Sequence, residues 1–465
     1  MTRHALAGGT VLTMDGSGRV FDDGAVMWEA DEITFVGPRA RAPLAGASIQ
    51  GCTGQIVLPG FVNAHTHAAQ ILLRGGPSHS RGLYDWLLKV VIPGLTAYSD
   101  EDLGLAIRLY CAEAIRAGVT TIVTNEEPVS ADPEREVRTA LGEFGRAGLR
   151  ARYGYMFRDQ RPAAVASERG VSTAESLPAS SSLAAVFERV GRLSAEYGRA
   201  SRGLLDVWPS PATTAVVSDA GLRLSAERAA AAGGRWALHL AEIPLEGRLR
   251  AASPVQHLAG LGLLGPGLLA AHCVHVDAAD IGLLAASRTA VVTNPVSNCY
   301  LGSGIAPVID MAAAGVCVGL GTDDGNCNDS VNPLSDVKTL ALLERGLRQD
   351  AAGLSPERLM RIATIDGARA LGLDSVTGSL EPGKQADLQV IDALQPQLSP
   401  THDPYAALVF QAYGHEVQTV VVAGRTLMSE RVLRSEPDLR GLCRDVQRAS
   451  RAVLDRAGIA PVRFL

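Results

Sequence analysis

The feature that most constrains the fold is an alternation of short apolar runs with longer amphipathic stretches. Helical stretches such as residues 100–118 and 182–200 separate runs that are rich in Val, Ile, Leu and Ala. Strands that alternate with helices in this way form parallel βα units. Eight such runs occur: one ends at His65-Thr66-His67, and the others lie within residues 118–127, 149–159, 204–211, 235–242, 267–277, 289–298 and 315–324.

Eight βα units predict a closed (β/α)8 barrel, the TIM-barrel fold. The 465 residues of the chain are sufficient for such a barrel with additions to it. An open doubly wound sheet is the alternative. That fold normally carries a glycine-rich phosphate-binding turn, and the sequence has none in the corresponding place. The sequence therefore favours the α/β barrel.

Both ends of the chain have the pattern of β-structure rather than of βα units. Residues 25–37, AVMWEADEITFVG, alternate apolar and polar residues around a charged turn, which is typical of a hairpin. A second hairpin is predicted to turn at Ala423-Gly424-Arg425. We therefore predict a barrel of residues 58–372 and a small β-sandwich formed by residues 1–57 and 373–465, the latter with a C-terminal helix.

Composition and charge exclude several classes of partner. The net charge of −6 leaves no basic face for nucleic acid or an anionic membrane. No run approaches the roughly 20 apolar residues of a membrane span, and the first residues lack the pattern of a signal peptide. The seven cysteines are scattered without a CxxC pair, which favours reduced thiols. We expect a cytoplasmic protein that acts on a small molecule.

Polar side chains occur where the predicted strands end. Side chains alternate along a strand, so His65 and His67 point the same way. In a (β/α)8 barrel the carboxyl ends of the strands meet at one mouth, where neutral imidazoles can bind a metal ion. The polar residues at this mouth are His65 and His67 on the first strand, His239 and Glu242 on the fifth, His272 and His275 on the sixth, and Asp323 and Asp324 on the eighth.

A metal centre in this place explains the residue types. A divalent ion with an open position lowers the pKa of bound water toward about 7. Asp323 can then accept the water proton, and Glu242 can pass it to the leaving group. His272 is predicted to bind the metal or to hold the attacking water, and His275 to orient a ligand. The predicted ligands are His65, His67, His239 and Asp323. We expect one ion per chain, zinc first, with cobalt, iron or manganese as alternatives.

Longer motifs extend this pattern. They are LPGFVNAHTHAAQILLRGG, DWLLKVVIP, HLAE, AAHCVHVD, NPVSNCYLGSGIAPV, GLGTDDGNCND and EPGKQADLQVID. With these motifs the chain resembles the amidohydrolase superfamily, in its branch of S-adenosylhomocysteine, guanine and chlorotriazine hydrolases. The resemblance implies one catalytic metal on the four ligands above, Glu242 and His272 as acid/base and water-positioning groups, and a homo-oligomer, either a dimer or a tetramer.

Three positions depart from the nucleoside deaminases of that family. Leu95 stands where they carry a glutamate for the ribose, Pro209 where they carry a substrate-facing histidine, and Thr293 where they usually have the histidine of a His-Asn-Pro motif. A pocket without these polar groups accepts apolar ligands more readily. We therefore predict Leu95 and Thr293 as substrate-binding residues. Trp86 and Trp208 are added as candidates, because each could line a pocket for a flat or apolar ligand or belong to the core.

The predicted function is hydrolysis of a C–N or C–S bond in a small, mostly apolar urea, carbamate, thiocarbamate or amide. This resembles xenobiotic degradation by the molinate and phenylurea herbicide hydrolases. Deamination or dechlorination of a nitrogen heterocycle (a purine, pterin or triazine) by the same residues is the alternative. A non-catalytic scaffold is disfavoured, since all the predicted ligands are retained. Glu126-Glu127 and His79 are expected in solvated loops, and Asp324 has no assigned role.

Overall fold

The structure, a computed structural model, describes residues 2–160, 182–201, 203–250 and 252–460. Its strands are β1 (Arg3–Leu12), β2 (Val20–Glu29), β3 (Glu32–Pro38), β4 (Ser48–Gly51), β5 (Gln55–Pro59), β6 (Phe61–Thr66), β7 (Val119–Glu126), β8 (Arg150–Phe157), β9 (Leu205–Pro211), β10 (Trp236–Leu240), β11 (Leu268–His272), β12 (Ala290–Thr293), β13 (Val318–Leu320), β14 (Leu388–Asp392), β15 (Val417–Val422), β16 (Arg425–Ser429) and β17 (Val432–Leu433).

Helices connect most of these strands. The α-helices are α1 (Leu83–Trp86), α2 (Ile92–Thr96), α3 (Asp100–Arg116), α4 (Pro133–Ala147), α5 (Leu183–Ala200), α6 (Asp219–Ala231), α7 (Pro244–Arg250), α8 (Pro254–Gly260), α9 (Ala278–Ser287), α10 (Pro295–Tyr300), α11 (Val308–Ala313), α12 (Pro333–Arg348), α13 (Pro356–Ile362), α14 (Ile365–Ala370), α15 (Pro404–Ala406) and α16 (Leu439–Arg456). A 3-10 helix covers Ala68–Leu73, and a π-helical turn covers Leu87–Val91. In the described part of the chain, none of these helices is both long and apolar enough to cross a bilayer.

Eight parallel strands, β6 to β13, form the barrel. Strands β6 to β9 pair in order, and so do β10 to β13. Two junctions close the ring: the His239 N–H donates to Ala212 O at 3.3 Å, and the Asp323 N–H donates to His65 O at 3.0 Å. Each of the eight predicted runs contains one of these strands, so the predicted (β/α)8 fold is confirmed. The carboxyl ends of the strands share one mouth.

Strands from both ends of the chain form a second sheet, as predicted. This nine-stranded sheet has the order β17-β16-β15-β14-β5-β1-β2-β3, with β4 beside β1. It contains both predicted hairpins, β2–β3 and β15–β16. The indole N–H of Trp28 on β2 donates to Gly424 O in the β15–β16 turn at 3.2 Å. Because these strands are far apart in the sheet order, the sheet must curl over its own apolar core, which includes Val57, Leu388 and Val421.

The junction between the two sheets lies at Pro59 and Gly60. Strands β5 and β6 meet here, separated only by Gly60. Strand β5 pairs with β1 and β14 in the terminal sheet, whereas β6 pairs with β7 in the barrel. A Cβ on Gly60 would lie 2.0 Å from Thr120 Cγ2, so only glycine lets the chain pass β7 at this point.

We expect Gly60→Ala to destabilise the protein. The new methyl group overlaps the buried Thr120 side chain, and overpacking of this kind costs about 1–3 kcal/mol. Urea unfolding followed by tryptophan fluorescence measures the change. Gly104→Ala is the control: an added Cβ there meets nothing within 4 Å, and alanine is favoured over glycine in a helix by about 0.5–1 kcal/mol. Equal stability of the two variants would contradict the prediction.

A buried ion pair joins the barrel to the terminal sheet. Arg150, at the start of β8, donates to Asp387 Oδ2 from Nε at 3.1 Å and from Nη2 at 2.9 Å. Its Nη2 also donates to Gln385 Oε1 at 2.6 Å. The other oxygen of Asp387 accepts the Ala423 N–H at 2.6 Å. Both charged side chains are almost fully buried, so each depends on the other for its solvation.

The C-terminal helix α16 packs against the barrel next to the site described below. Val453 is fully buried in an apolar cluster with Leu73, Trp86 and Leu301. Ser450 Oγ donates to Leu72 O at 2.6 Å, and Arg456 Nε donates to Ala97 O at 3.0 Å. The helix therefore supports the α1–α2 segment from behind.

Candidate active site

Four side chains from three strand ends meet at the barrel mouth. Asp323 Oδ1 lies 3.5 Å from His65 Nε2 and 3.6 Å from His67 Nε2. The Nε2 atoms of His67 and His239 are 3.2 Å apart. The structure thus brings together all four residues that were predicted to bind a metal. Two overlapping sets at this centre have ligand atoms close enough to hold an ion: His65, His67 and His239, and His65, His272 and Asp323.

Backbone and side-chain partners fix the orientation of each imidazole. The Nδ1 atom of His65 pairs with the side-chain amide of Asn125 at 2.8 Å, and Nδ1 of His67 pairs with Asn125 O. His239 Nδ1 pairs with Ala212 O at 2.9 Å. With Nδ1 engaged in each ring, the Nε2 atoms are left to face one another at the centre of the cluster.

The residues fit a divalent metal ion. His65 Nε2 is buried and has no hydrogen-bond partner among the described residues, and neither has His272 Nε2. Burial lowers the pKa of His65 and His67 to about 4 and that of His239 to about 3. The imidazoles are therefore neutral near pH 7, which is the form that binds metals. An ion at this centre would satisfy the orphaned nitrogen atoms.

We expect the purified protein to contain about one divalent ion per chain. Because an ion that binds only the folded chain stabilises it by about 2.7 kcal/mol at 100 times Kd, a chelator should lower Tm. Elemental analysis and thermal unfolding measure the two effects. His239→Ala should lose the ion. His257→Ala should keep it, since His257 pairs with Asp219 at 2.9 Å on another surface. Two ions per chain, or normal metal content in His239→Ala, would contradict the assignment.

His272 and Glu242 lie beside this cluster. His272 Nε2 is 3.9 Å from Glu242 Oε2 and 3.9 Å from Asp323 Oδ2. Burial raises the pKa of Glu242 and is only partly offset by His272, so the carboxyl group tends to keep a proton. For His272, burial acts to lower the pKa, but the nearby Glu242 and Asp323 carboxylates outweigh it and raise the pKa. Both groups can take part in proton transfer at this centre.

The backbone at this mouth is strained at several points. Ala241, His272 and Asp323 have φ values of 52°, 73° and 57°. The left-handed region is unfavourable for residues with a Cβ atom, and strain of this kind concentrates at functional sites. His272 and Asp323 belong to the site, and Ala241 precedes Glu242. The left-handed backbone at these residues therefore directs the side chains of the site toward one centre.

His275 and Asp324 point elsewhere. His275 Nε2 lies 2.8 Å from Ser303 O, and the Ser303 hydroxyl donates to Glu242 Oε1 at 3.2 Å. His275 thus supports the neighbour of Glu242 rather than a ligand histidine. Asp324 Oδ1 accepts the backbone N–H groups of Asn326 and Cys327 at 2.6 and 2.8 Å, which shapes the loop after Asp323.

A cavity of about 1240 Å³, part of it open to solvent, lies above the cluster. One wall consists of apolar side chains from α1, the π-helical turn and α2, with further apolar residues from other loops. The polar floor carries the cluster itself. The apolar wall residues are Leu83, Trp86, Leu87, Leu88, Val91, Ile92, Leu95, Val129, Met156, Val216 and Leu301.

Two of the four predicted substrate-binding residues line this cavity, and two do not. Trp86 and Leu95 belong to the apolar wall. Trp208 lies in the barrel core with Val62 and Ala64, where its indole N–H donates to Asp206 Oδ2 at 3.1 Å. Trp208 therefore lies too deep in the barrel to contact a substrate in the cavity.

Thr293, the last residue of β12, is buried but does not line the cavity. Pro209 is likewise absent from the cavity lining. The substitutions at these two positions therefore do not change the polarity of this cavity, whereas Leu95 contributes to it directly.

Polar residues on the side of β7 and β8 were not predicted for the site. Glu126 and Glu127 were expected in a solvated loop, and this was wrong: both line the cavity, and Glu126 is buried. Burial raises the pKa of Glu126 to about 8. Arg158 pairs with Glu127 at 2.8 Å. Their position at the end of a barrel strand, or directly after it, was the available signal. His79 stays in its loop, where it contacts Tyr300 at 3.1 Å.

Two known proteins are similar to the chain over almost its whole length. The chain is 36% identical to an S-triazine hydrolase of Gordonia rubripertincta over 100% of this chain and 98% of that protein. It is 35% identical to a 5-methylthioadenosine/S-adenosylhomocysteine deaminase of Symbiobacterium thermophilum, over 92% of this chain and 94% of that protein.

Solved structures share the whole fold. An adenosine deaminase from Xanthomonas campestris with bound zinc superposes with a TM-score of 0.88 at 27% identity, over 98% of this chain and 99% of that one. For an atrazine chlorohydrolase from Arthrobacter aurescens the TM-score is 0.87 at 21% identity, over 96% and 99%. The model of the amidohydrolase family matches residues 56–427. The chain therefore belongs to the amidohydrolase family of metal-dependent hydrolases.

Proposed function

We propose that the chain displaces an amine or a halide from an electron-poor ring carbon of a small, neutral, mostly apolar nitrogen heterocycle. The observation that carries this proposal is a single cavity in which an extended apolar wall rises above a buried acid–base cluster. The whole-length similarity to an S-triazine hydrolase favours a ring of the triazine type. In the reaction the bond from ring carbon to the leaving group breaks, a carbon–oxygen bond forms, and water supplies the oxygen.

The ligand set supports one divalent ion, held by His65, His67, His239 and Asp323. Zinc is proposed because these nitrogen and oxygen donors suit it and because the similar adenosine deaminase contains it. Such an ion, when bound, makes water a nucleophile near neutral pH.

Residues of this chain then move the protons. The Asp323 carboxylate accepts the proton that water loses. It is placed to do so because Oδ1 faces His65 and Oδ2 faces His272 at the centre of the site. Glu242, whose raised pKa favours the protonated form, donates a proton to the leaving nitrogen. His272 Nε2 lies 3.9 Å from both carboxylates and can hold water or a ring nitrogen between them.

The apolar wall binds and orients the ring. Trp86 offers a flat surface for it, and the indole N–H of Trp86 is held by Asn326 Oδ1 and, at 3.2 Å, by Ser78 Oγ. Leu95 gives this wall no hydrogen-bonding group, so a ribose would leave its hydroxyl groups unpaired there. The wall therefore favours alkyl-substituted heterocycles over nucleosides.

A second candidate is the hydrolysis of an open-chain urea, carbamate, thiocarbamate or amide, as the sequence pattern suggested. The apolar side chain at position 95 supports it, because such substrates present alkyl or aryl groups and few hydrogen-bonding groups to the wall. The same cluster would serve this reaction, with the carbonyl carbon in place of the ring carbon.

A substrate panel separates the candidates. The metal-loaded protein is incubated with chloro- and amino-s-triazines, pterins, purines, phenylureas and thiocarbamates, and the release of chloride, ammonia, amine or thiol is measured. We expect turnover of s-triazines and none of purine nucleosides. For the substrates that release an amine or ammonia, Glu242→Gln is the control, because it keeps the shape of the site and removes the proton donor. Turnover of ureas or thiocarbamates alone would favour the second candidate, and rapid turnover of nucleosides would contradict both.

A further inference from the structure

Glu246 is a buried carboxylate beside the cavity that has no task in the mechanism above. It lies in the first turn of α7 and is only 2% exposed. Its Oε1 accepts the backbone N–H of Glu242 at 3.0 Å, and its Oε2 accepts the N–H of Ala241 at 3.2 Å. Each oxygen of Glu246 thus accepts one of the two backbone N–H groups in the turn that positions the Glu242 side chain.

The turn that Glu246 holds is strained. Ala241 has a φ of 52°, in the left-handed region, where a residue with a Cβ is unfavourable. This turn redirects the chain between His239 and Glu242 and brings Glu242 Oε2 to 3.9 Å from His272 Nε2. Among the residues that the structure describes, only the Ser303 hydroxyl donates to the Glu242 side chain, at 3.2 Å. Its placement therefore depends on the backbone.

We propose that Glu246 is a positioning residue for proton transfer by Glu242, and that its two hydrogen bonds to the Ala241–Glu242 turn keep the Glu242 carboxyl group at the leaving-group side of the cluster. The inference rests on the proposed function, in which Glu242 protonates a leaving amine. Without these acceptors, two buried N–H groups lose their partners. The turn then relaxes to negative φ, and Glu242 moves away from His272.

Leaving-group dependence tests the proposal. Glu246→Gln keeps the size of the side chain and one acceptor oxygen, but sets an amide NH2 against the second N–H. An amine must be protonated as it leaves, whereas chloride leaves as the anion. We expect release of amine from an amino-s-triazine to slow by about 10- to 100-fold, a part of the 10²–10⁴ that general acids contribute. Release of chloride from the matching chloro-s-triazine should change by less than about threefold.

Glu344→Gln is the matched control. Glu344 is also a buried glutamate, and its Oε1 accepts two successive backbone N–H groups, from Val308 at 2.8 Å and from Ile309 at 3.3 Å. It does not line the cavity. The change at position 344 should lower stability without altering the ratio of amine to chloride release. Equal losses for both leaving groups in Glu246→Gln would overturn the proposal.

A crystal structure of Glu246→Ala provides a readout that needs no substrate. We expect Ala241 to leave the left-handed region and Glu242 to lose its approach to His272. The proposal is overturned if Ala241 keeps its positive φ and the Glu242 carboxyl group stays within about 4 Å of His272, which is the limit for an ion pair. Wild-type protein that releases neither chloride nor amine from s-triazines would instead refute the proposed function, and the variant structure would still decide the role of Glu246.

Discussion

Replacement of Asp323 by asparagine should reduce turnover by about 10³-fold or more while the fold stays intact, given the 10²–10⁴ range of a lost proton acceptor and the added loss of metal charge balance. Asp323 Oδ1 faces His65 and His67, and Oδ2 accepts the Ser297 hydroxyl at 2.7 Å. Burial acts to raise its pKa, but the neighbouring His65, His272 and His67 imidazoles outweigh it and hold the pKa well below the usual value. The group is therefore a carboxylate at any pH near neutrality.

Asparagine keeps the shape of this side chain and removes its charge and its capacity to take a proton. Circular dichroism should match the wild type, metal content should fall, and kcat on the substrate found by the panel should collapse. Asp324→Asn is the comparison, because its carboxyl group binds the loop backbone and not the histidines. That variant should keep its ion. Wild-type turnover in Asp323→Asn would refute the proton-transfer scheme.

Arg150→Ala should destabilise the protein by about 3–5 kcal/mol, because it leaves a buried carboxylate without its cation. Arg150 and Asp387 are both almost fully buried, and they join the barrel to the terminal sheet. After the substitution, Asp387 retains the Ala423 N–H as a donor but no charged partner. Chemical unfolding followed by fluorescence should show the loss of free energy of unfolding.

Two further variants make this test specific. Arg138 pairs with Glu196 on the surface, with side chains 42% and 45% exposed. Exposed pairs contribute about 0–1 kcal/mol, so Arg138→Ala should have little effect. The double variant Arg150→Met/Asp387→Leu should recover most of the stability, since apolar side chains can replace a buried ion pair. A cost below about 1 kcal/mol for Arg150→Ala would show that Asp387 is solvated in another way.

The strands and the cluster of histidines with Asp323 could be predicted from the sequence because both depend on local patterns. Apolar runs of strand length define the barrel strands, and the position of a histidine at the end of a run fixes which mouth it reaches. His65 and His67 are two residues apart, so their common direction follows from the strand period alone. The four-residue cluster needed no information on long-range geometry beyond the barrel itself.

The cavity lining could not be predicted in the same way. How deep a strand residue such as Trp208 lies depends on the tilt and stagger of the strands, which no local pattern encodes. Thr293 stands at the end of a short strand, where a shift of one residue reverses the direction of a side chain. Glu126 looked like a loop residue because acidic pairs are common on surfaces, yet it ends a barrel strand. Glu246 accepts hydrogen bonds from two backbone N–H groups, and no sequence motif indicates such a contact.

The pairing of β5 with β14 has a consequence for how the chain is made. Gln389 donates to Pro59 O across a separation of 330 residues. A ribosome that adds 5–20 residues per second needs roughly 20–70 seconds to cover that distance. Throughout this interval, β5 of the nascent chain presents an unpaired edge, and such an edge is a template for pairing with other chains. The yield of intact protein from cells should therefore depend on the chaperones that bind nascent chains during translation of the barrel.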